Sequence, residues 1–155
     1  MLPILQTLGI SSLNEIQETS LKAHRENDHI ILLSPTGSGK TLAFLLPLLE
    51  NLDPDSTKAQ AIILVPSREL ALQIEQVFRS LKSGFKVVCC YGGHDINVES
   101  RSLSYIPTLI IGTPGRILDH ITRGTIDTDS ISTIILDEFD KPLQFGFEED
   151  IQTIF

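Results

Sequence analysis

The fold is decided by residues 30–41, which read Ile30-Ile31-Leu32-Leu33-Ser34-Pro35-Thr36-Gly37-Ser38-Gly39-Lys40-Thr41. Four apolar residues lead into a loop with two glycines, and a nearly all-apolar stretch follows from Thr41 to about Asn51. Strand, glycine loop and helix in this order form the context that a Walker A motif requires. Gly37 and Gly39 allow the backbone to curl, so that its N–H groups and the helix N-terminus face an anion. The stretch therefore predicts a phosphate-binding loop.

This loop predicts a site for ATP with Mg²⁺. Lys40 is expected to reach the β and γ phosphates, and the Thr41 hydroxyl is expected to bind Mg²⁺. A glycine turn that only caps a buried helix would explain the glycines, but it would not explain Lys40 at this spacing. The remaining residues expected at the nucleotide are Ser34, Pro35, Thr36, Gly37, Ser38 and Gly39.

An acidic pair follows the last apolar run of the chain. Residues 133–136 read Thr-Ile-Ile-Leu and lead directly into Asp137-Glu138, which is the arrangement of a Walker B motif. Asp137 is expected to bind Mg²⁺ through water, and Glu138 to orient and deprotonate the attacking water. Acidic residues at a helix N-terminus are an alternative explanation, because the helix dipole favours them there.

Short apolar runs alternate with helical patterns along the chain. The clearest helical pattern runs from Ser67 to about Lys82, with Ser67 as its N-cap. Runs that are apolar on both faces predict strands buried in a parallel sheet, with ligands beyond their carboxyl ends. The fold class predicted is therefore α/β, with a doubly wound, mainly parallel sheet and helices on both faces. The predicted strands are Asp28 to Leu33, Ala61 to Val65, Phe85 to Tyr91, Thr108 to Ile111 and Thr133 to Leu136.

Composition limits the classes of protein that remain. With 155 residues, 41% of them hydrophobic, one domain over residues 1–155 is expected. The net charge of −8 argues against long-range attraction of nucleic acid, so any such contact must be local. The adjacent Cys89 and Cys90 are expected in the core of a protein from a reducing compartment, and neither a secretion signal nor a membrane span is indicated. The four histidines lack metal-ligand spacing and are expected at the surface or in loops: His24, His29, His94 and His120.

The ordered motifs resemble the DEAD-box family of ATP-dependent RNA helicases over nearly the whole chain. The similar segments, in the family's order, are Ser34–Thr41 (motif I), Pro66-Ser67-Arg68-Glu69-Leu70-Ala71 (motif Ia), Gly92-Gly93 (the glycine pair), Thr113-Pro114-Gly115-Arg116 (motif Ib) and Asp137-Glu138-Phe139-Asp140 (the DEAD tetrapeptide). Any one of these segments is weak evidence for the family, but five of them in the family's order on an alternating α/β pattern are specific evidence. Two departures are Ser67, where Thr is usual, and Phe139, where a small Ala is usual.

Gln17 resembles the glutamine of the family's Q motif, which reads the adenine edge. The upstream aromatic residue that stacks on adenine in the family has no candidate before Gln17. Asn14 and Gln17 also have the spacing of a capping box, with Asn14 as the N-cap and Gln17 reaching back. The two roles are compatible with each other.

The resemblance implies a RecA-like P-loop domain that uses ATP and Mg²⁺ and grips RNA through its sugar-phosphate backbone. It also implies that Asp140 couples nucleotide state to a second RecA-like domain, which lies outside residues 1–155 together with motif III. A cytoplasmic monomer without membrane contact is expected, with slow turnover and no unwinding by residues 1–155 alone. The residues implied at RNA are Pro66, Arg68, Gly93, Thr113, Pro114, Gly115 and Arg116.

Two other classes of function remain open. One is a P-loop NTPase acting on another substrate, such as DNA or a small nucleotide, although a kinase lid and acceptor site are not found. The other is a non-catalytic interaction module, against which the presence of Lys40 and Glu138 speaks.

Overall fold

A parallel sheet is the centre of the fold. The structure is a computed structural model that describes Gly9 and residues 11–35, 37–138 and 148–154. Four strands in these ranges pair in parallel in the order β2-β3-β1-β4, which confirms the α/β class and the parallel sheet. The strands are β1 (Ala61–Leu64), β2 (Val87–Cys90), β3 (Leu109–Gly112) and β4 (Thr133–Leu136).

Helices alternate with the strands, and local signals in the sequence set their ends. The Leu70 N–H donates to the Ser67 hydroxyl at 3.3 Å, as a helix N-cap requires. Pro114 occupies the first turn of its helix, where its missing N–H costs nothing. The helices are α1 (Glu15–Glu26), α2 (Lys40–Asn51), α3 (Arg68–Ser80), α4 (Ile96–Leu103), α5 (Pro114–Thr122) and α6 (Glu148–Ile154).

The strand predicted from Asp28 to Leu33 is wrong. Residues 29–33 have no regular secondary structure, and the side chains of Ile31 and Leu33 are 88% and 87% exposed. An apolar run shows a preference for burial, but a strand also needs a neighbouring strand edge to pair with. That requirement is non-local, and the run itself does not contain it. The other four predicted strands are confirmed within one or two residues at each end.

The chain divides into two compact units, Met1–Asp53 with Val77–Ser83, and Pro54–Gln76 with Gly84–Phe155. In the first unit, α1 and α2 share a small apolar cluster built on Leu21 and Leu46. The buried Ser20 hydroxyl also donates to the Ala43 carbonyl at 2.6 Å. The expectation of one domain over residues 1–155 stays a prediction.

The second unit contains the whole sheet and its own core. Buried side chains of β1, β3 and the helices meet there, including Ile62, Ile110 and Ile117. Cys90 is buried in this core and both cysteines are free thiols, which confirms the core position expected for Cys90, whereas Cys89 is half-buried. Across the described ranges, no helix has both the length and the apolar composition needed to cross a bilayer.

Candidate functional site

The carboxyl ends of the four strands are in register. Leu64 at the end of β1 pairs with Gly112 of β3 and with Leu136 of β4, and Gly112 pairs with Cys90 of β2. Each strand is followed within a few residues by one of the predicted site segments. The prediction that these segments gather at the carboxyl edge of a parallel sheet is therefore confirmed for Pro66–Arg68, Gly92-Gly93, Thr113–Arg116 and Asp137-Glu138.

Gly112 allows a close backbone approach at this edge. A Cβ atom at Gly112 would collide with the Cys90 carbonyl oxygen and would lie 2.8 Å from the Cδ1 atom of Ile117. That carbonyl also accepts the Thr113 N–H at 3.1 Å, which extends the ladder beyond β2 and β3. Gly112 is not predictable from its neighbours in sequence, because nothing local distinguishes a strand glycine that has a tight neighbour.

Arg116 is held at the start of α5. Its Nη2 donates to the His94 carbonyl at 2.8 Å, and its Nε lies 3.5 Å from Oε2 of Glu99. The Arg116 side chain is 13% exposed, so most of the guanidinium is enclosed. Helix α5 thus brings the motif Ib arginine next to the loop that carries Gly92-Gly93.

Glu99 is the centre of this cluster, although no motif in the sequence contains it. Its side chain is 2% exposed and accepts the Tyr91 N–H at 2.7 Å through Oε1. Nε2 of His94 lies 3.0 Å from the same oxygen, and Nε2 of His120 lies 2.7 Å from Oε2. A glutamate in a helix usually faces solvent, so its residue type gave no signal of burial.

His120 contradicts the expectation that the histidines lie at the surface. It is fully buried. Its Nδ1 lies 2.7 Å from the Thr125 hydroxyl, and its Nε2 lies 2.7 Å from Oε2 of Glu99. With partners at both ring nitrogens, the imidazole can be buried without an unsatisfied polar atom. The expectation of a surface or loop position is confirmed for His29, which is exposed, and for His94, which lies half-buried in the loop after β2; His24 is half-buried in α1.

Cys90, Glu99 and His120 also place three potential metal-ligand atoms within 4.8 Å of one another. Two of the three residues are joined by a hydrogen bond, between Nε2 of His120 and Oε2 of Glu99. Burial, followed by the Glu99 charge, raises the pKa of the Cys90 thiol to about 12, so this group is a neutral thiol at neutral pH. The expected Mg²⁺ ligands remain Thr41 and Asp137.

Arg68 contacts an aromatic ring. Its guanidinium carbon lies 4.9 Å from the centroid of the Tyr91 ring, in a cation–π geometry. The Tyr91 ring in turn lies 4.9 Å from the His94 ring, tilted by 59°. The motif Ia arginine is therefore connected, through Tyr91 and His94, to the cluster around Glu99.

The acidic pair sits at the turn that ends β4. The Asp137 N–H donates to the Leu64 carbonyl at 3.0 Å and so continues the ladder with β1. Glu138 has a φ of 52°, in the left-handed region that residues with a Cβ rarely adopt, and its N–H donates to Oδ1 of Asp137 at 2.9 Å. Backbone strain of this kind is concentrated at functional sites. Phe139 and Asp140 lie outside the described residues.

The glycine turn and the helix predicted at the phosphate loop are present, but the strand predicted before them is not. Gly37 and Gly39 have φ values of 81° and 87°, and Gly39 is the N-cap of α2 without a side-chain cap. Nζ of Lys40 donates to the Ser34 carbonyl at 3.0 Å, so the ammonium group lies against the loop. An uncapped helix N-terminus next to a lysine is suited to bind an anion. Thr36 lies outside the described residues.

Asn14 and Gln17 form the predicted capping box at the start of α1, in the same unit as the loop. The Gln17 N–H donates to Oδ1 of Asn14, and the Asn14 N–H donates to Oε1 of Gln17, each at 3.1 Å. The two side chains also reach the loop: Nδ2 of Asn14 donates to the Ser38 carbonyl at 2.9 Å, and Nε2 of Gln17 to the Gly39 carbonyl at 3.4 Å. A carboxamide can make four hydrogen bonds, so Gln17 keeps one N–H and one lone pair.

Comparisons with known proteins agree with this architecture. The chain is 41% identical, over 157 residues, to the ATP-dependent RNA helicase DeaD of Escherichia coli K12, covering 99% of this chain and 25% of that protein. It is 38% identical to the DEAD-box ATP-dependent RNA helicase CshA of Bacillus subtilis, covering 99% of this chain and 32% of that protein. The chain thus spans about a quarter to a third of the length of these relatives.

Solved structures of similar proteins have the same fold. A DEAD box protein from Methanococcus jannaschii superposes with a TM-score of 0.88 at 35% identity, over 99% of this chain and 42% of that one. A hypothetical ATP-dependent RNA helicase from Sulfolobus tokodaii gives 0.87 at 28% identity, over 98% and 44%. These likenesses confirm the predicted RecA-like fold class, and the family model described as DEAD/DEAH box helicase matches residues 14–155. The chain therefore belongs to the DEAD/DEAH box helicase family.

Proposed function

We propose that this chain is the ATP-binding and RNA-backbone-binding half of an ATP-dependent RNA helicase that couples ATP hydrolysis to the remodelling of RNA duplexes. The observation that carries the proposal is the register of the strand ends, which brings four motif segments to one edge of the sheet. Family membership supports the same activity, since relatives of this chain are named ATP-dependent RNA helicases.

ATP is proposed to bind at the phosphate loop. The backbone of Ser34 to Gly39 and the N-terminus of α2 would surround the phosphates, and Lys40 would exchange its contact with the Ser34 carbonyl for one with a phosphate oxygen. Gln17 would use its remaining N–H and lone pair on the edge of adenine, which offers one acceptor and one donor.

Catalysis is assigned to Lys40, Asp137 and Glu138. Mg²⁺, held by Thr41 and Asp137, would neutralise charge on the phosphates. Glu138 would orient the attacking water and accept its proton. Glu138 lies in the turn that ends β4, with its backbone in the left-handed region. Asp140 is proposed to couple the site to a second RecA-like domain.

RNA is proposed to bind through its phosphates and sugars at the loops after β1, β2 and β3. Arg68 and Arg116 supply positive charge, and the N-terminus of α5 supplies the backbone N–H of Gly115. These few local contacts explain how a chain with a net charge of −8 can bind a polyanion. Such contacts carry no base information, so binding is expected to be independent of sequence.

The first test is nucleotide binding by the wild type and by Lys40→Ala, with and without Mg²⁺. Charge-assisted hydrogen bonds contribute ~1.5–3 kcal/mol, so we expect Lys40→Ala to raise the Kd for ATP roughly 10- to 100-fold. A fluorescent ATP analogue measures this, and Lys22→Ala, which removes an exposed lysine of α1, serves as the matched control. Equal affinities of the wild type and Lys40→Ala would disprove the phosphate contact.

Competition between RNA and DNA of the same sequence tests the substrate class. RNA is expected to bind more tightly because the 2′-OH offers an additional donor and acceptor. Equal affinity for the two would favour a P-loop NTPase that acts on DNA, and ATP binding without any nucleic-acid binding would favour an interaction module.

A further inference from the structure

We propose that Glu99 is a positioning residue for RNA binding, which orients Arg116 and the loop that carries Tyr91 and His94 toward the RNA backbone. This inference rests on the proposed function, because it assumes that Arg116 contacts a phosphate. It adds a residue that no motif of the chain contains, and it explains why a carboxylate is buried beside a proposed anion-binding surface.

Both carboxylate oxygens of Glu99 have polar neighbours. Oε1 accepts the Tyr91 N–H and lies 3.0 Å from Nε2 of His94. Oε2 is hydrogen-bonded with Nε2 of His120 at 2.7 Å and lies 3.5 Å from Nε of Arg116. Each donor comes from a different residue, and together they belong to the loop after β2 and to α5.

The burial of this carboxylate points to orientation of its neighbours, and not to stability alone. Taking a charge out of water is costly, and apolar side chains of similar volume often stabilise a core as well as a buried ion pair does. A carboxylate fixes the directions of its donors, which an apolar side chain cannot do. Three of the four donors lie in or next to segments proposed to bind RNA.

Arg116 keeps enough donors for a phosphate. A guanidinium has five N–H groups in a fixed planar fork. Its Nε faces Glu99 and one N–H of Nη2 is used by the His94 carbonyl, which leaves three N–H groups. Because Nε and Nη2 of Arg116 both have partners, the orientation of the guanidinium is fixed. Little side-chain entropy is therefore lost when a phosphate binds to its remaining N–H groups.

Glu99 is also linked, through Tyr91, to Arg68, the second arginine proposed to bind RNA. The Tyr91 backbone is fixed by Oε1 of Glu99, and the Tyr91 ring lies under the guanidinium of Arg68. One carboxylate therefore connects the arginines of motifs Ia and Ib, and both would be placed relative to the same RNA strand.

The experiment uses the full-length protein and a double-mutant cycle on RNA affinity. We expect Glu99→Gln to raise the Kd for single-stranded RNA roughly tenfold, the size typical of coupled neighbours. The affinity for the ATP analogue should stay unchanged. In an Arg116→Ala background, most of the effect of Glu99→Gln should disappear, because the residue that it positions is gone. In RNA-stimulated ATPase assays, the RNA concentration for half-maximal rate should rise while kcat stays the same.

Controls separate the possible causes. Glu26→Gln makes the same chemical change on an exposed glutamate of α1 and should have no effect. If Glu99→Gln does not fold, Glu99→Asp retains the charge but withdraws it by one methylene, and it should weaken RNA binding in the same direction.

Three outcomes would overturn the inference. RNA affinity that is unchanged or tighter in Glu99→Gln would show that the carboxylate does not position the arginine, and so would an undiminished effect in the Arg116→Ala background. If Arg116→Ala by itself leaves RNA affinity unchanged, the proposed RNA contact of Arg116 fails first, and the inference about Glu99 fails with it.

Discussion

At the scale of single residues, the functional side chains fall into two groups: those that could be predicted from neighbouring residues in the sequence, and those that could not. Lys40 and the acidic pair were predicted from sequence because each follows an apolar run at a fixed spacing, and their roles stay predictions. Glu99 and His120 were not predicted. Their burial depends on partners 5 to 21 residues away in the chain, which only the folded chain brings together.

The thiol of Cys90 gives a prediction at this scale. Burial, and then the Glu99 charge, raises its pKa from 9.0 to about 12. At pH 8 the thiolate fraction of the folded protein should therefore be about a thousandfold below that of an ordinary thiol, so alkylation of Cys90 should be very slow. Mass spectrometry after iodoacetamide treatment measures it in a Cys89→Ser background. Equal alkylation rates with and without urea would contradict the prediction.

The raised pKa of Cys90 also predicts how the stability of the folded protein changes with pH. The folded state holds this proton more tightly than the unfolded state does. The contribution of Cys90 to stability is therefore complete below pH 9 and is lost as the pH rises toward 12.

At the scale of elements, helix starts were the best predicted feature. Asn14 and Ser67 are signals that act within one turn, and each stands at the helix start that it indicates. The strand expected from Asp28 to Leu33 failed because a strand is defined by its neighbour. Helical and capping contacts are short in sequence, whereas strand pairing joins distant segments.

Asn14 provides the prediction at this scale, because its side chain has two separable roles. Oδ1 caps α1, and Nδ2 donates to the Ser38 carbonyl of the phosphate loop. Asn14→Ala removes both roles and should lower the free energy of unfolding by about 1 kcal/mol. Asn14→Asp keeps the cap but cannot donate, so it should retain most of the stability while releasing the loop. Urea unfolding measures this, and equal destabilisation by the two changes would argue against a capping role.

At the scale of the whole molecule, charge and length set the limits of activity. With a net charge of −8, the proposed attraction of RNA depends on a few arginines and backbone N–H groups. The chain also spans 25% of the length of its DeaD relative. A complete helicase of this family, as the resemblance implies, uses a second RecA-like domain to supply an arginine finger.

We therefore expect residues 1–155, tested by themselves, to bind ATP but to hydrolyse it slowly and to unwind no duplex. An arginine finger contributes roughly 10³- to 10⁵-fold to the rate, so its absence should reduce turnover by that order. Phosphate release with and without RNA, compared with that of the longer relative DeaD of Escherichia coli, measures the difference. Robust RNA-stimulated hydrolysis by residues 1–155 would contradict this expectation.

The sequence by itself determined the class of the fold, the helix starts, four of the strands and the order of the motifs. These follow from periodicity, caps and glycine spacing, which act over a few residues. Tertiary structure alone decided the register of the strand ends, the close approach at Gly112 and the burial of Glu99 and His120. Those features depend on which distant segments become neighbours, and a buried charge is recognisable only when the donors around it are known.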